Sequence, residues 1–485
     1  MKKFLLLAVI VIFVVGGTLS SVAAKPVELT WYVPGGGTWP YPDADEVYAA
    51  LNTMLERDLG VHVTFKTPGS FGEYRQKMPV IMAAGEPFDL VWTSHWCNNY
   101  LSAVNDELYA SLDELLPQYG PTLLKDTKDV LEAARVHGKI YGVTIQTILA
   151  KTSNVVVWES HREKYGWDVK AVKSLKDIEP FLADIKANEP DLIPLGTRKP
   201  APMWAEYSLG YTRLFSEKTP LAVSVYDKEC KVVNLLKDPD FVANIKLAHE
   251  WFKKGYIAKD GLTYTGDQWR KLWNSGKVAV DLHNTWSPAE YLQQQPFGET
   301  SGRYPYGPSF VEGPSVTSTM TAISSQSKHQ DKAVQLLEYL YTNREARTLL
   351  ICGIEGKHYQ KLEDGRIKRD ATSGYYPVTW VYVMGNEKNS YVEAPTPLDL
   401  YKKLKELNDN AIKPPILGFM PDMEPIKSLL ASVSAANDQY RLAVLGGYVD
   451  PETELPKYID ALKQSGIDEL IEQVQAQIDA WKAGK

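Results

Sequence analysis

Residues 88–100 read FDLVWTSHWCNNY. Phe88, Leu90 and Val91 suit a buried strand. The nine residues from Trp92 then crowd two tryptophans, a histidine, a cysteine and two asparagines into one corner. A second stretch, PGGGTWPY at 34–41, sets Trp39 just after three glycines. Such residues are suited to binding. An aromatic face lies flat on an apolar surface such as one face of a sugar ring, and His, Asn and Thr exchange hydrogen bonds with hydroxyls. The chain carries 13 Trp, 28 Tyr and 12 Phe. Most of these must serve a core, so their position decides which could serve a ligand.

Catalytic patterns are scarce. There is no GxSxG elbow, and AHEWFKKG fails the HExxH spacing because Lys253 replaces the second histidine. WNSGKV has a Gly-Lys pair without the upstream glycine of a phosphate loop, and KLEDGRIKRD reads as a hairpin turn. No segment follows the calcium-loop pattern of alternating acids. A glycosidase needs only two carboxylates brought together by the fold, which the 60 acidic residues supply without specificity. Cys97, Cys230 and Cys352 make neither a disulfide framework nor a CxxC metal pattern, so buried thiols are expected and no metal or cofactor is.

The elements that would hold these loops alternate in kind. VELTWYV (27–33) alternates as a strand, with Trp31 facing a core. Residues 42–60 repeat apolar positions at Val47, Ala50, Leu51, Met54, Leu55 and Leu59, one face of a helix. Asp43 and Asp45 stand where caps and first-turn acids belong, and Gly60 where the helix stops. VHVTFKT alternates again, and EYRQKMPVIMAAG is a second helix that Pro79 should bend or divide. Strands alternating with helices imply an α/β fold with mostly parallel sheets. In such sheets ligands bind beyond the carboxyl ends of the strands, where both aromatic loops emerge.

The N-terminus reads as an export signal over residues 1–24. It has Lys2 and Lys3, an apolar run from Phe4 to Val15, and Val22 and Ala24 at the −3 and −1 positions. The run is short for a spanning helix. No cysteine lies near the cleavage point, so a periplasmic protein without a lipid anchor is expected. Losing the two lysines takes the formal charge from −7 to −9, which argues against a nucleic-acid partner.

EYRQKMPVIMAAGEPFDLVWTSHW, LDELLPQYG and HGKIYGVTI together resemble the first lobe of the extracellular solute-binding proteins of ABC sugar importers, the family of maltose-binding protein. WNSGKVAVDLHNTWSPAEY (273–291) resembles that family's strand and loop ending in a ligand-stacking tryptophan. Residues 319–346 resemble its return segment. YPVTWVYVMGN and the stretch 445–481 are similar to a lipoprotein-like subgroup with a C-terminal region of unknown function.

The resemblance implies two lobes around a cleft. One lobe takes 25–148 plus 319–360, and the other takes 149–318 plus 361–485. Thr147–Thr152 and Pro314–Thr319 are the expected crossings, about which the lobes would hinge. By the same resemblance Trp286 is the stacking tryptophan. Trp204 lines the cleft, Thr93, His95 and Trp96 form the first-lobe loop, and Trp380 and Trp39 are further candidates. Asn98, Gln146, Asp281 and Asn284 are candidate hydroxyl partners. Trp96 stands where relatives carry a polar residue, which shifts the site toward stacking. The implied function is a non-enzymatic, monomeric receptor that captures an oligosaccharide and hands it to the permease subunits of an ABC transporter. The alternatives are a secreted glycosidase, or a binder of amino acids or peptides that would use Arg198 and Arg213.

Overall fold

The structure, a computed structural model, describes residues 25–484 except 37–38, 145–149, 197–204, 286–290, 295–297, 313–315, 378–379 and 381–382. Strand β1 (Val27–Tyr32) follows the alternation in its sequence, and Trp31 is buried against Phe65 with ring centroids 5.6 Å apart. Helix α1 (Ala44–Leu59) buries Val47, Leu51 and Leu55, and ends at Gly60 in the left-handed conformation, φ 65°. Asp43 sits at its N-cap without capping it. Its carboxylate instead accepts from Lys357 Nζ at 2.9 Å and His358 Nε2 at 3.1 Å.

Strand β2 (Val61–Lys66) leads to helix α2 (Phe71–Ala83), which opens on a capping box between Ser70 and Glu73. Pro79 does not divide α2. It lies on the exposed side, where the carbonyl that it leaves unbonded can face water. Strand β3 is Leu90–Thr93 and helix α3 is Tyr100–Asn105.

The first sheet has the order β2, β1, β3, Met320–Ile323, Gly142–Thr144. β1 pairs in parallel with β2 and β3, whereas Met320–Ile323 runs antiparallel to both its neighbours. The second sheet has the order Tyr291–Gln294, Thr300–Val311, Ala150–Trp158, Val278–Thr285, Ile193–Gly196. There only the last pairing is parallel. The sheets are therefore mixed, where sequence alternation suggested mostly parallel ones. Two topological causes act: a strand that arrives from the other lobe (Met320–Ile323, Ala150–Trp158) runs against its neighbours, and Tyr291–Gln294 with Thr300–Val311 forms an antiparallel pair within the second lobe.

Two large apolar cores result. The first gathers residues from Leu29 to Val143 and from Val316 to Met384; the second gathers Val155 to Tyr306 and Ile416 to Ile478. Tyr359, Ile367, Tyr375, Trp380, Val383 and Met384 thus belong with the first lobe. The boundary that gave everything beyond 360 to the second lobe is corrected accordingly. The helices Lys427–Leu445, Pro451–Gln464 and Ile467–Ala483 pack on the second core through Val433, Tyr458, Leu470 and Val474.

Between the cores Ala150 pairs with Val311, and a third passage of chain joins them. Asn408 Oδ1 accepts from Ala150 N at 3.0 Å, and Val311 N donates to Ile412 O at 2.9 Å. Ala150, Val311 and Ala411 close a small apolar cluster at this junction. Cys97, Cys230 and Cys352 are buried free thiols, and burial pushes Cys97 and Cys352 up to about 11.

Candidate ligand-binding site

The chain leaving β3 folds back on itself. Thr93 Oγ1 donates to Asn98 O, and Asn98, at φ 49°, donates from Nδ2 to Trp92 O at 3.1 Å. Asn99 caps α3 by accepting from Ser102 N at 2.9 Å, while its Nδ2 donates to His95 O at 3.1 Å. Trp92 stays in the core, its indole donating to Thr319 Oγ1 at 2.9 Å. With both ends tied, the loop projects His95 and Trp96 outward. His95 N donates to Thr317 O at 2.9 Å and Trp96 Nε1 to Ser318 O at 2.8 Å, which fastens the loop to the return segment.

Trp96 is 41% exposed, stacks on Phe71 at 5.7 Å, and carries the Arg75 guanidinium 5.5 Å from its ring centre. An exposed indole ring held on several sides is preorganised for stacking. His95 lines a pocket of about 170 Å³ shared by both lobes. α3 contributes Tyr100 and Leu101, the second lobe Thr212 to Leu214, and the C-terminal region residues between Ile416 and Pro421.

Buried charges stand beside this pocket. Arg213 Nε meets Glu206 Oε1 at 2.7 Å, both residues being almost fully buried. Burial pushes the Glu206 carboxyl up, with Arg213 pulling the other way. Glu312 accepts from Lys151 Nζ at 2.6 Å and from the Tyr207 hydroxyl. Burial alone would raise its carboxyl, but Lys151 and Tyr207 outweigh that and hold it below the ordinary range. Lys151 falls within the first expected crossing, Thr147–Thr152, and Glu312 just before the second, so this ion pair fastens two passages of chain together. No group of three or more His, Cys, Asp or Glu among the described residues could hold a metal ion.

The sequence candidates divide in the structure. His95 reaches the pocket and Trp96 stands exposed beside it. Thr93 and Asn98 are buried and spend their hydrogen bonds on the loop, so they shape it from behind. Trp380 is not a cleft residue. It is fully buried in the first core, packs edge-on to Tyr41 at 5.8 Å, and donates to Pro34 O at 2.8 Å, which anchors the root of the glycine-rich loop. Trp39 is half-buried against Tyr41, with ring centres 5.3 Å apart. Asp281 is buried in the middle of the second sheet, opposite Val156. Asn284, in the same strand as Asp281, pairs through its backbone with Ser153 of the neighbouring strand, but its side chain lies outside the described residues. Gln146, Trp204 and Trp286 also lie outside them.

Sequence reasoning missed the Lys151–Glu312 pair, the Glu206–Arg213 pair and the wall supplied by residues 416–421. Ion pairs this far apart in the chain leave no spacing signal. From the sequence, Arg213 reads only as a grip for a charged ligand.

A profile described as "Bacterial extracellular solute-binding protein" matches residues 41–347, and one described as "Domain of unknown function (DUF3502)" matches 415–483. A carbohydrate ABC transporter substrate-binding protein of Streptococcus pneumoniae serotype 4 is 27% identical over 468 residues, covering 91% of this chain and 89% of that one. The crystal structure of the N-glycan transport solute binding protein NgtS from Streptococcus pneumoniae is similar at 25% identity and a TM-score of 0.83, over 95% of this chain and all of that one. The same protein in complex with Man1GlcNAc gives 24% identity and a TM-score of 0.76, over 93% and 99% of the two chains. Two cores, a pocket between them and a profile spanning both agree: the chain belongs to the bacterial extracellular solute-binding protein family.

Proposed function

We propose that this protein is an extracytoplasmic receptor that captures an oligosaccharide between its lobes and delivers it to the permease subunits of an ABC importer. The observation that carries this reading is the 0.83 TM-score to an N-glycan transport binding protein, sustained over 95% of the chain at 25% identity. The geometry is compatible with it: an exposed, braced tryptophan stands beside a pocket shared by both lobes. Stacking and hydroxyl recognition need such a partly preformed concavity. A short expected leader and the absence of a long apolar helix among the described residues are consistent with an exported protein.

The amino-acid or peptide reading loses support here. Arg213, which would have gripped a ligand carboxylate, is already paired with Glu206, and Arg198 lies outside the described residues. A glycosidase remains distinguishable by experiment. Calorimetry of the purified protein against a panel of oligosaccharides should find saturable binding to at least one, with no products after prolonged incubation. Release of new reducing ends, or silence across the panel, would overturn the receptor reading.

A further inference from the structure

Resting on that receptor reading, we propose that Arg75 is a positioning residue for the bound glycan: its guanidinium pins the Trp96 indole against helix α2, so that the ring offers its far face for stacking. Phe71 and Arg75 lie four residues apart on α2 and so stand on one side of that helix. Both meet the same indole. The Phe71 ring is tilted only 26° from it with centres 5.7 Å apart, and the Arg75 guanidinium carbon lies 5.5 Å from its centre. Trp92 packs on it at a steep 68°, and Ser318 O holds its nitrogen at 2.8 Å. With α2 covering one face, the exposure left to Trp96 falls to the other. The place suits a ligand: α2 follows β2, which runs parallel to β1, as β3 does. The first turns of α2 therefore stand at the carboxyl edge of those strands, where the Trp96 loop also emerges.

What sets Arg75 apart is its lack of an acid. Arg57, Arg135, Arg162, Arg213, Arg366 and Arg369 each meet a carboxylate, in a chain whose acids outnumber its bases 60 to 53. Among the described residues none pairs with Arg75. Glu73, one turn away on α2, is spent: it accepts from Ser70 N at 2.9 Å and from Lys77 Nζ at 3.3 Å. The neighbouring Cys97 thiol is pushed up to about 11 by burial, so it stays protonated and supplies no countercharge. A carboxylate within reach would draw the guanidinium off the ring, because a charge-assisted hydrogen bond is stronger than an exposed cation–π contact. Without one, the indole is its resting place. The other braces cannot replace it. Phe71 is committed to Trp92, with centres 5.4 Å apart, and a single hydrogen bond at Nε1 leaves the ring free to rock about that atom.

The test is a double-mutant cycle on the full chain, read by calorimetry with the tightest binder from a panel of malto-, cello-, xylo- and manno-oligosaccharides. Losing an exposed cation–π contact should leave the ring in its receptive orientation less often, so R75A should weaken binding by about two- to fivefold. R75M keeps the apolar stem without the charge and should bind as R75A does, while R75K should recover part of the loss. In a W96A background, R75A should change affinity by less than about 1.5-fold, because its effect passes through the ring. The melting temperature of R75A should stay within about two degrees of the wild type, since an exposed side chain is lost. Unchanged affinity in R75A would overturn the proposal, as would wild-type binding by R75M. An R75A loss that persists in full beside W96A would show that Arg75 touches the glycan directly, and a large fall in melting temperature that its role is structural; either overturns it. All four results leave the receptor reading standing, whereas a panel that binds nothing removes both.

Discussion

Phe419 and Met420 are adjacent in sequence, yet Phe419 packs against the second core, edge-on to Trp481 at 5.6 Å, and Met420 against the first. One peptide unit thus carries a contact to each lobe, and the C-terminal domain acts as a clasp across the cleft. Each side chain is half-buried, so truncation should cost about 1 kcal/mol apiece in packing. The double variant F419A/M420A should leave unfolding cooperative but increase the radius of gyration of the ligand-free protein in small-angle scattering. An unchanged scattering profile would show that the contact does not restrain the lobes.

Glu312 sets an acid limit on the junction. It is buried, and Lys151 and Tyr207 hold its carboxyl below the ordinary 4.5. The folded carboxyl therefore holds a proton less tightly than the unfolded one. Its contribution to stability is complete above pH 4.5 and is lost as pH falls through the lower folded value. E312Q should destabilise the protein by about 2–3 kcal/mol at pH 7, less than a fully buried pair would show because Lys151 is partly exposed. Denaturant titrations from pH 7 down to pH 3.5 should find this gap narrowing as the wild type loses the contribution. A gap that stays constant would show that Glu312 does not carry the linkage.

Trp380 should behave as a core residue. It is fully buried among Tyr41, Tyr375 and Phe65, and its indole bonds the carbonyl of Pro34. W380A should cost about 3–5 kcal/mol, and W380F less because it keeps most of the volume. The thermal midpoint should fall in that order. Weakened glycan binding with an unchanged midpoint would instead return Trp380 to the cleft.

Those contrasts show what the sequence could and could not disclose. Trp31 alternates inside a short strand, and period two alone places it in the core, where it and Leu29 are buried. The faces of α1 and its stop at Gly60 were legible for the same local reason. Trp380 was not. Its surroundings come from residues 41, 65 and 375, and nothing local separates an indole buried by them from one facing a ligand. Asp281 misled similarly, since a polar residue in a strand reads as cleft-facing until the sheet order puts neighbours on both sides. The 416–421 wall had no signature at all, because its role lies in which lobes it touches.

Trp96 is the sequence candidate on which most depends. Its ring is braced by Phe71, Trp92 and the Ser318 carbonyl, yet 41% of the residue remains exposed. Bracing without burial means that removing the ring should take little from the fold and much from a stacked ligand. W96A should weaken binding of the preferred oligosaccharide by about tenfold, equivalent to about 1.4 kcal/mol, a size that aromatic stacking can supply. W96F, which keeps a smaller apolar face, should recover part of that loss. The melting temperature of both variants should stay within a few degrees of the wild type, because an exposed ring contributes little buried area. Calorimetry showing unchanged affinity in W96A, with a melting temperature lowered by far more, would mean that the indole serves to pin the return segment at Ser318 and that the sugar stacks elsewhere. Trp286, whose role rests on family resemblance alone, would then be the next tryptophan to truncate.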